Sequence, residues 1–206
     1  MMRADDRYPA NHESPSKQNR SRTVILDDIG PALFEKSRRA RRVSIRVRAS
    51  RGVRVAVPWR TSYEEARVFV LARRDWIRRT LARIERARDR CRESLVAAER
   101  LDLRSAKALL AGRLDALALE HGYRPGRLSV RRQGTVWGSA SASGRIQLNA
   151  LLAVVPPDLA DYVILHELVH TRVGGHGPAF WRELQSRMPD ARRRQARLRE
   201  YALVLF

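Results

Sequence analysis

The sequence predicts an α+β fold, and three observations carry that reading. Apolar and polar residues alternate strictly along Val43-Ser44-Ile45-Arg46-Val47-Arg48 and again at Val53, Val55 and Val57, the period-two signature of strands. Helical periodicity then takes over from Ser62 to Glu120. Three short strand-like segments follow, and after them an apolar helix that starts at Pro156-Pro157-Asp158. Strands and helices therefore come in blocks, in the order β, α, α, β, α, α, which suits segregated layers and not an alternating parallel sheet.

Each element has its own signal. Residues 1–22 are polar, contain Pro9 and Pro15, and read as a disordered tail. A short strand is expected around Thr23 to Leu26. The two alternating runs flank Ala49-Ser50-Arg51-Gly52 and read as a hairpin with valine and isoleucine on one face and Arg46, Arg48 and Arg54 on the other. Pro58 ends it. Ser62 and Glu65 have capping-box spacing, and Ala66, Phe69, Val70, Ile77, Leu81 and Ile84 lie near one helical stripe that continues into a highly charged stretch at Arg83–Arg100. A second helix runs from about Ser105 to Glu120, with Gly122 suited to close it. Strands are expected at 128–130, 135–140 and 145–149, with turns at Gln133-Gly134 and Ser143-Gly144. The apolar helix from Pro157 runs to about Val173 and stops at Gly174-Gly175; Pro178 opens another helix through Met188, and Pro189-Asp190 begins a last, arginine-rich one.

Composition narrows the function classes. The chain has 206 residues, 44% of them hydrophobic, which is enough for a real core and excludes a wholly disordered protein. One cysteine, Cys91, excludes a disulfide scaffold and a cysteine-rich structural zinc site. Cys91 sits among arginines that would favour its thiolate, although a helix-contact role is the plainer reading. No apolar run is long enough to span a membrane, and no signal-type apolar segment occurs near the start, so the expectation is a cytoplasmic protein without a membrane partner. The net charge is +20, and all but three of the 42 basic residues are arginine. That excess reads either as the solvated faces of an arginine-rich protein or as a nucleic-acid footprint formed by Arg46, Arg48 and Arg54 with Arg192, Arg193 and Arg194. The solvated reading is favoured, because charge alone is no motif.

Chemistry concentrates in one window. His12 lies in the tail and His121 at a helix end; the remaining three histidines fall in His166-Glu167-Leu168-Val169-His170-Thr171-Arg172-Val173-Gly174-Gly175-His176. Residues four apart share a helix face, so His166 and His170 can offer ring nitrogens to one ion. Glu167, next to the first, can reach a water on that ion without binding the metal, which is the H-E-x-x-H logic. The paired glycines let the chain turn back and bring His176 as a third ligand. Three protein ligands leave one position open, the pattern of a catalytic zinc. The spacing to the third histidine matches the metzincin motif, but the position where that motif needs glycine is Val173, and no Met-turn is evident; Met188 reads as a packing residue.

Several segments resemble the YgjP-like metallopeptidase-domain family, relatives of the SprT-like zincins. They are Trp137-Gly138-Ser139, Ile146-Gln147-Leu148-Asn149, Pro156-Pro157-Asp158, Asp161-Tyr162-Val163, the histidine run, His176-Gly177-Pro178-Ala179-Phe180-Trp181 and Met188-Pro189-Asp190. The opening hairpin and Arg74-Asp75-Trp76-Ile77 fit as well, so the resemblance spans about residues 38–84 and 104–200. It implies a zincin-like metallopeptidase domain with an N-terminal β-hairpin/helix subdomain and a small sheet packed on the H-E-x-x-H helix. It further implies a Zn2+ cofactor held at His166, His170 and His176, with Glu167 as general base. Two departures stand out: the Arg and Cys that usually flank Trp-Gly-Ser are Val136 and Ala140 here, and residues 85–103 look like charged helix where extra strand is common. The organisation expected is a tail at 1–22, a hairpin plus helical segment at 23–103, and a catalytic domain at 104–206.

The function expected is a zinc metallohydrolase acting on peptides or proteins. The alternatives are a nucleotide phosphoanhydride hydrolase using the same site, to which the positive charge would suit an anionic substrate, and a nucleic-acid-associated protease. Trp137, Ser139 and Asn149 are candidate substrate contacts, because an edge strand beside the metal helix can pair with an extended substrate. Arg145, Arg172 and Tyr201 are candidates for stabilising transition-state charge on chemistry alone. Phe180 and Trp181 are expected to pack the returning loop that holds His176.

Overall fold

The computed structural model describes residues 21–206. The tail reading for residues 1–20 lies outside the described residues; Ser21 and Arg22 already belong to the first strand, β1 (Ser21–Leu26). The fold is α+β. Two compact units divide it, one holding residues up to 47 with 51–78, the other 48–50 with 79–206.

The first unit is built on a four-stranded sheet of β1, β2 (Gly30–Ser37), β3 (Ser44–Arg48) and β4 (Gly52–Pro58), in the order β1-β2-β4-β3. The expected hairpin is β3 next to β4. What the sequence reading missed is β2, which pairs antiparallel with β1 and parallel with β4. Its opening Gly30-Pro31 looks like a turn, and Ala32-Leu33-Phe34 is an unbroken apolar run, so no alternation announces it. Its register is nonetheless that of a strand, with Ala32 and Phe34 buried on the face that also carries Val53, Val55 and Val57. Helix α1 (Tyr63–Leu71) packs on β4 and buries Ala66 and Val70. It begins with the expected capping box: Ser62 Oγ accepts from Glu65 N–H, and Glu65 Oε2 accepts from Ser62 N–H at 2.6 Å. Arg54 spends its charge on Glu35 of β2, with Nε donating to the carboxylate at 2.9 Å.

The one helix expected from Ser62 to about Arg100 is three, α1 followed by α2 (Arg74–Arg90) and α3 (Arg92–Glu99), and the second helix expected at about Ser105–Glu120 is α4 (Leu103–His121). The break between α2 and α3 is Cys91, whose φ of −104° and ψ of 18° leave the helical basin. Cys91 is buried with Ala87 and Val204, and burial, followed by the Glu200 carboxylate, pushes its thiol up. Burial thus overrides the flanking arginines that would have favoured the thiolate. Asp102 caps α4 by accepting from Ser105 N–H at 2.7 Å, and Gly122 closes it in the left-handed region at φ 68°, where a side chain would be strained.

The second unit is organised around α5 (Pro157–His170). Nine of its residues are buried, including Leu159, Ile164, Leu165 and Leu168 at 0% exposure, so it is apolar nearly all round. α4, α6 (Pro178–Arg187), α7 (Ala191–Leu205) and a small sheet all pack on it. That sheet has the order β5-β7-β6, with β5 (Leu128–Arg131) parallel to β7 (Ile146–Asn149) and β6 (Gly138–Ala140) antiparallel to it. β6 is three residues long where six were expected. The reason is Asn149, fully buried, whose side-chain amide donates to the carbonyls of Gln133 and Val136 and whose oxygen accepts from Gln133 and Leu151 N–H. Segment 133–136 is bonded to that side chain instead of to a ladder. Ion pairs Arg113–Asp161 and Arg197–Asp158 tie α4 and α7 to α5 from outside the core.

This packing predicts a contrast. Phe34→Ala, at a site with 0% exposure, should cost about 3–5 kcal/mol. Leu119→Ala, at 85% exposure, should stay within about 0.5 kcal/mol of the parent. Urea unfolding followed by circular dichroism measures both, and comparable losses would contradict the placement of β2 in a core.

Candidate metal centre

α5 delivers the first two histidines. Pro157 stands at its first position and Asp158 in its first turn, both suited to a helix start. By the last turn, His166 and His170 share one face as their four-residue spacing requires. The helix ends at His170, and the chain then turns through Gly174 and Gly175. Gly175 adopts φ 66°, a left-handed conformation open to glycine, and this reversal returns His176 to the helix it has just left. Pro178 then starts α6.

The result is a triangle of ring nitrogens. His166 Nε2 lies 3.0 Å from His176 Nε2 and 3.1 Å from His170 Nε2, and His170 Nε2 lies 3.1 Å from His176 Nε2. His170 Nδ1 donates to the Val173 carbonyl at 3.1 Å, since a carbonyl can only accept. A neutral ring carries one N–H, so the His170 Nε2 facing the other two rings is a lone pair. Burial above all, then the nearby His170 and His176 rings, lowers the pKa of His166 to about 3; burial lowers that of His170 too. Neutral imidazoles are the form that binds metal. Three nitrogens bound to one tetrahedral zinc at roughly 2.0–2.1 Å would stand about 3.3 Å apart. The observed triangle is close to that size, and His166, His170 and His176 form a group able to hold one ion. The donor set fits zinc.

One residue holds the three rings together. Phe180 of α6, with 0% exposure, stacks on His170 at 4.4 Å between centroids, meets His166 edge-on at 4.7 Å and leans on His176 at 5.0 Å. Trp181 braces Phe180 edge-on at 5.6 Å and carries the Arg192 guanidinium 3.3 Å above its own ring. The packing role expected for both residues is what the structure shows, and Phe180 goes further by touching every imidazole of the triangle.

Glu167 is buried at 6% exposure, and burial raises its carboxyl pKa to about 7. Its seat is Gly138 of β6. A Cβ built on Gly138 would lie 2.8 Å from Glu167 Oε1 and 2.9 Å from Cγ, closer than such contacts allow, and a tight 3.1 Å from Cδ. Gly138 is therefore needed for close approach and not for its backbone angles. Sequence reading missed it, although it stands inside the quoted Trp137-Gly138-Ser139; only its position opposite Glu167 reveals the role.

Two cavities meet at Gly138, His166 and Glu167. One, of about 770 Å3, is lined by all three histidines, Glu167 and the β6 strand with Ser139 and Ala140. The other, of about 350 Å3, is mostly apolar and lies between Trp137, Tyr162, Val163, Leu198 and Phe206. Trp137 packs against Phe206 there at 4.6 Å between centroids. Trp137 and Ser139 thus face these cavities, whereas Asn149 lines neither and holds the loop that leads into β6. Along β6, Trp137 C=O accepts from Asn149 N–H and Ser141 N–H donates to Arg145 C=O. The alternation of an antiparallel ladder then turns the backbone groups of Gly138 and Ala140 away from β7, to the open edge. Of the charge-stabiliser candidates, Arg172 borders the larger cavity, but its guanidinium donates to Gly122 C=O and lies 4.2 Å over the Tyr123 ring. Arg145 lines a different cavity, and Tyr201 packs beside Cys91.

No curated protein sequence matches the chain significantly. Among solved structures, the metallopeptidase zymogen of Pyrococcus abyssi, abylysin, is similar, with 24% identity and a TM-score of 0.40 over 43% of this chain and 90% of that one. The model of one family matches residues 41–104 and 96–201, most of the sequence and all of the histidine window, and the chain accordingly belongs to the YgjP-like, metallopeptidase domain family.

Proposed function

We propose that this metallopeptidase-family chain is a zinc-dependent peptidase in which His166, His170 and His176 hold the ion and Glu167 is the general base. The observation that carries the reading is the triangle of Nε2 atoms 3.0–3.1 Å apart, lining one cavity with a buried carboxylate. Zinc bound there supplies Lewis acidity, which brings the pKa of water down to about 7 and polarises a substrate carbonyl.

The chain's own residues do the rest. Glu167 accepts a proton from the attacking water and passes it to the leaving amine nitrogen. The carbonyl of Val173 fixes the tautomer of His170, and Phe180 fixes the ring planes. The open edge of β6 offers the N–H and C=O of Gly138 and Ala140 to an extended peptide, a pairing in which Trp137 and Ser139 border the bound strand. The apolar cavity between Trp137, Tyr162 and Phe206 suits an apolar side chain of the substrate next to the scissile bond. No helix among the described residues is long and apolar enough to cross a membrane.

Three outcomes follow for protein purified without an affinity tag. Glu167→Gln should retain its zinc and lose peptide turnover by about 100-fold or more, measured on a protein and peptide panel; undiminished turnover would remove Glu167 as base. His176→Ala should weaken zinc affinity by more than about 100-fold in a chelator competition, and unchanged affinity would mean that the third ligand is another residue. Gly138→Ala should fold and keep its zinc, yet lose about 100-fold in kcat/KM because the whole Glu167 side chain must move. Full activity in that variant would show that the seat of Glu167 does not matter. Nucleoside triphosphate hydrolysis without peptide hydrolysis would overturn the peptidase reading itself.

A further inference from the structure

The outer face of the second sheet carries a feature the peptidase reading does not use. β5 and β7 run parallel with Leu128 beside Ile146 and Ser129 beside Gln147. One step earlier in the same register stand Arg127 and Arg145, and Ile146 N–H donates to Arg127 C=O at 3.1 Å. Leu128, Val130, Ile146 and Leu148 all pack into the core. Alternation therefore sends Arg127, Ser129, Arg131 and Arg145 to the opposite face. Lys107 of α4 reaches the same place, and together they line a cavity of about 300 Å3 that no acidic residue borders.

These charges stand apart by lining one cavity together, not by lacking carboxylate partners, which many other exposed arginines among the described residues also lack. Arg113, Arg187, Arg194 and Arg197 each pair with a carboxylate. Lys107, Arg127, Arg131 and Arg145 are exposed, and among the described residues none has a carboxylate oxygen within 4 Å. Arg131 Nε donates to Ser129 Oγ at 3.3 Å, which keeps its guanidinium on this face. Like charges on neighbouring strands repel. An arginine excess set only by composition would spread over convex surface, whereas four cations here converge on one hollow. An anion in that hollow turns the repulsion into charge-assisted hydrogen bonds, and the guanidinium fork suits phosphate oxygens. The volume is at the small end for ligand sites, which favours a compact anion of several charges.

We infer that the cavity between Lys107, Arg127, Arg131 and Arg145 binds a small oligophosphate. It shares no lining residue with the cavities at His166 and Glu167, so the inference is independent of the peptidase reading. Titration calorimetry of the full chain with inorganic tripolyphosphate, at fixed ionic strength, tests it. One ion should bind per chain, and Arg127→Gln/Arg145→Gln should weaken binding by at least about tenfold. Arg46→Gln/Arg48→Gln, which removes the same charge from another exposed strand, should leave it within about twofold. In thermal melts without the ion, the Arg127→Gln/Arg145→Gln protein should match or exceed the parent, because it has lost a repulsion. It should also lose the rise in Tm that tripolyphosphate gives the parent. Equal weakening in both double variants, or none in the first, would assign the binding to diffuse surface charge and overturn the site. A short oligothymidylate bound through Arg127 and Arg145 by a protein that ignores tripolyphosphate would overturn the small-anion assignment.

Discussion

Burial of α5 through the middle of its unit is the constraint on which the rest of the structure depends. A helix apolar on nearly every side is held by neighbours on nearly every side, so its position and rotation have little freedom. His166 and His170 inherit that rigidity, because they stand on the helix itself. His176 does not, and it is brought in by a left-handed glycine and pinned by Phe180 from the next helix. Rigidity of this kind lets a metal site hold its shape before any ion arrives, so that less binding energy goes into ordering the ligands.

The same burial sets the chemistry of Glu167. A carboxyl in the interior is held in its neutral form unless something stabilises its charge. Here it rests against a bare backbone at Gly138, at the junction of an open cleft and an apolar pocket. Sheet and helix are thus fitted to each other at one point by the absence of a single methyl group. The short β6 strand has its other edge open, so the strand that seats the carboxylate also borders the larger cavity. Asn149 keeps that geometry by fastening the preceding loop with its buried amide.

Much of this was legible in the sequence, and the reasons are local. The histidine spacing fixes two rings on one helix face, and the glycine pair that follows marks the reversal. Capping at Ser62 and the stop at Gly122 are likewise written in a few adjacent residues. What escaped was long-range. β2 hides behind Gly30-Pro31 and an unalternated apolar run, and only pairing with β1 and β4 makes it a strand. The break at Cys91 interrupts a stretch whose helical propensity is continuous. The seat at Gly138 and the contacts of Phe180 depend on residues that lie far apart along the chain. The arginine excess divides in the same way: Arg194 is paired with Asp190 four residues before it, a spacing the sequence displays, whereas Arg54 is neutralised by Glu35 on another strand and the convergence of Arg127 and Arg145 follows from a parallel register, neither of which a sequence pattern displays.

The most direct test of the central claim is zinc X-ray absorption spectroscopy on the full chain purified without an affinity tag. The account predicts about one zinc per chain with three imidazole nitrogens at roughly 2.0–2.1 Å and one oxygen ligand. A spectrum with only two imidazoles, or with sulfur from Cys91, would contradict it, as would protein that takes up no zinc.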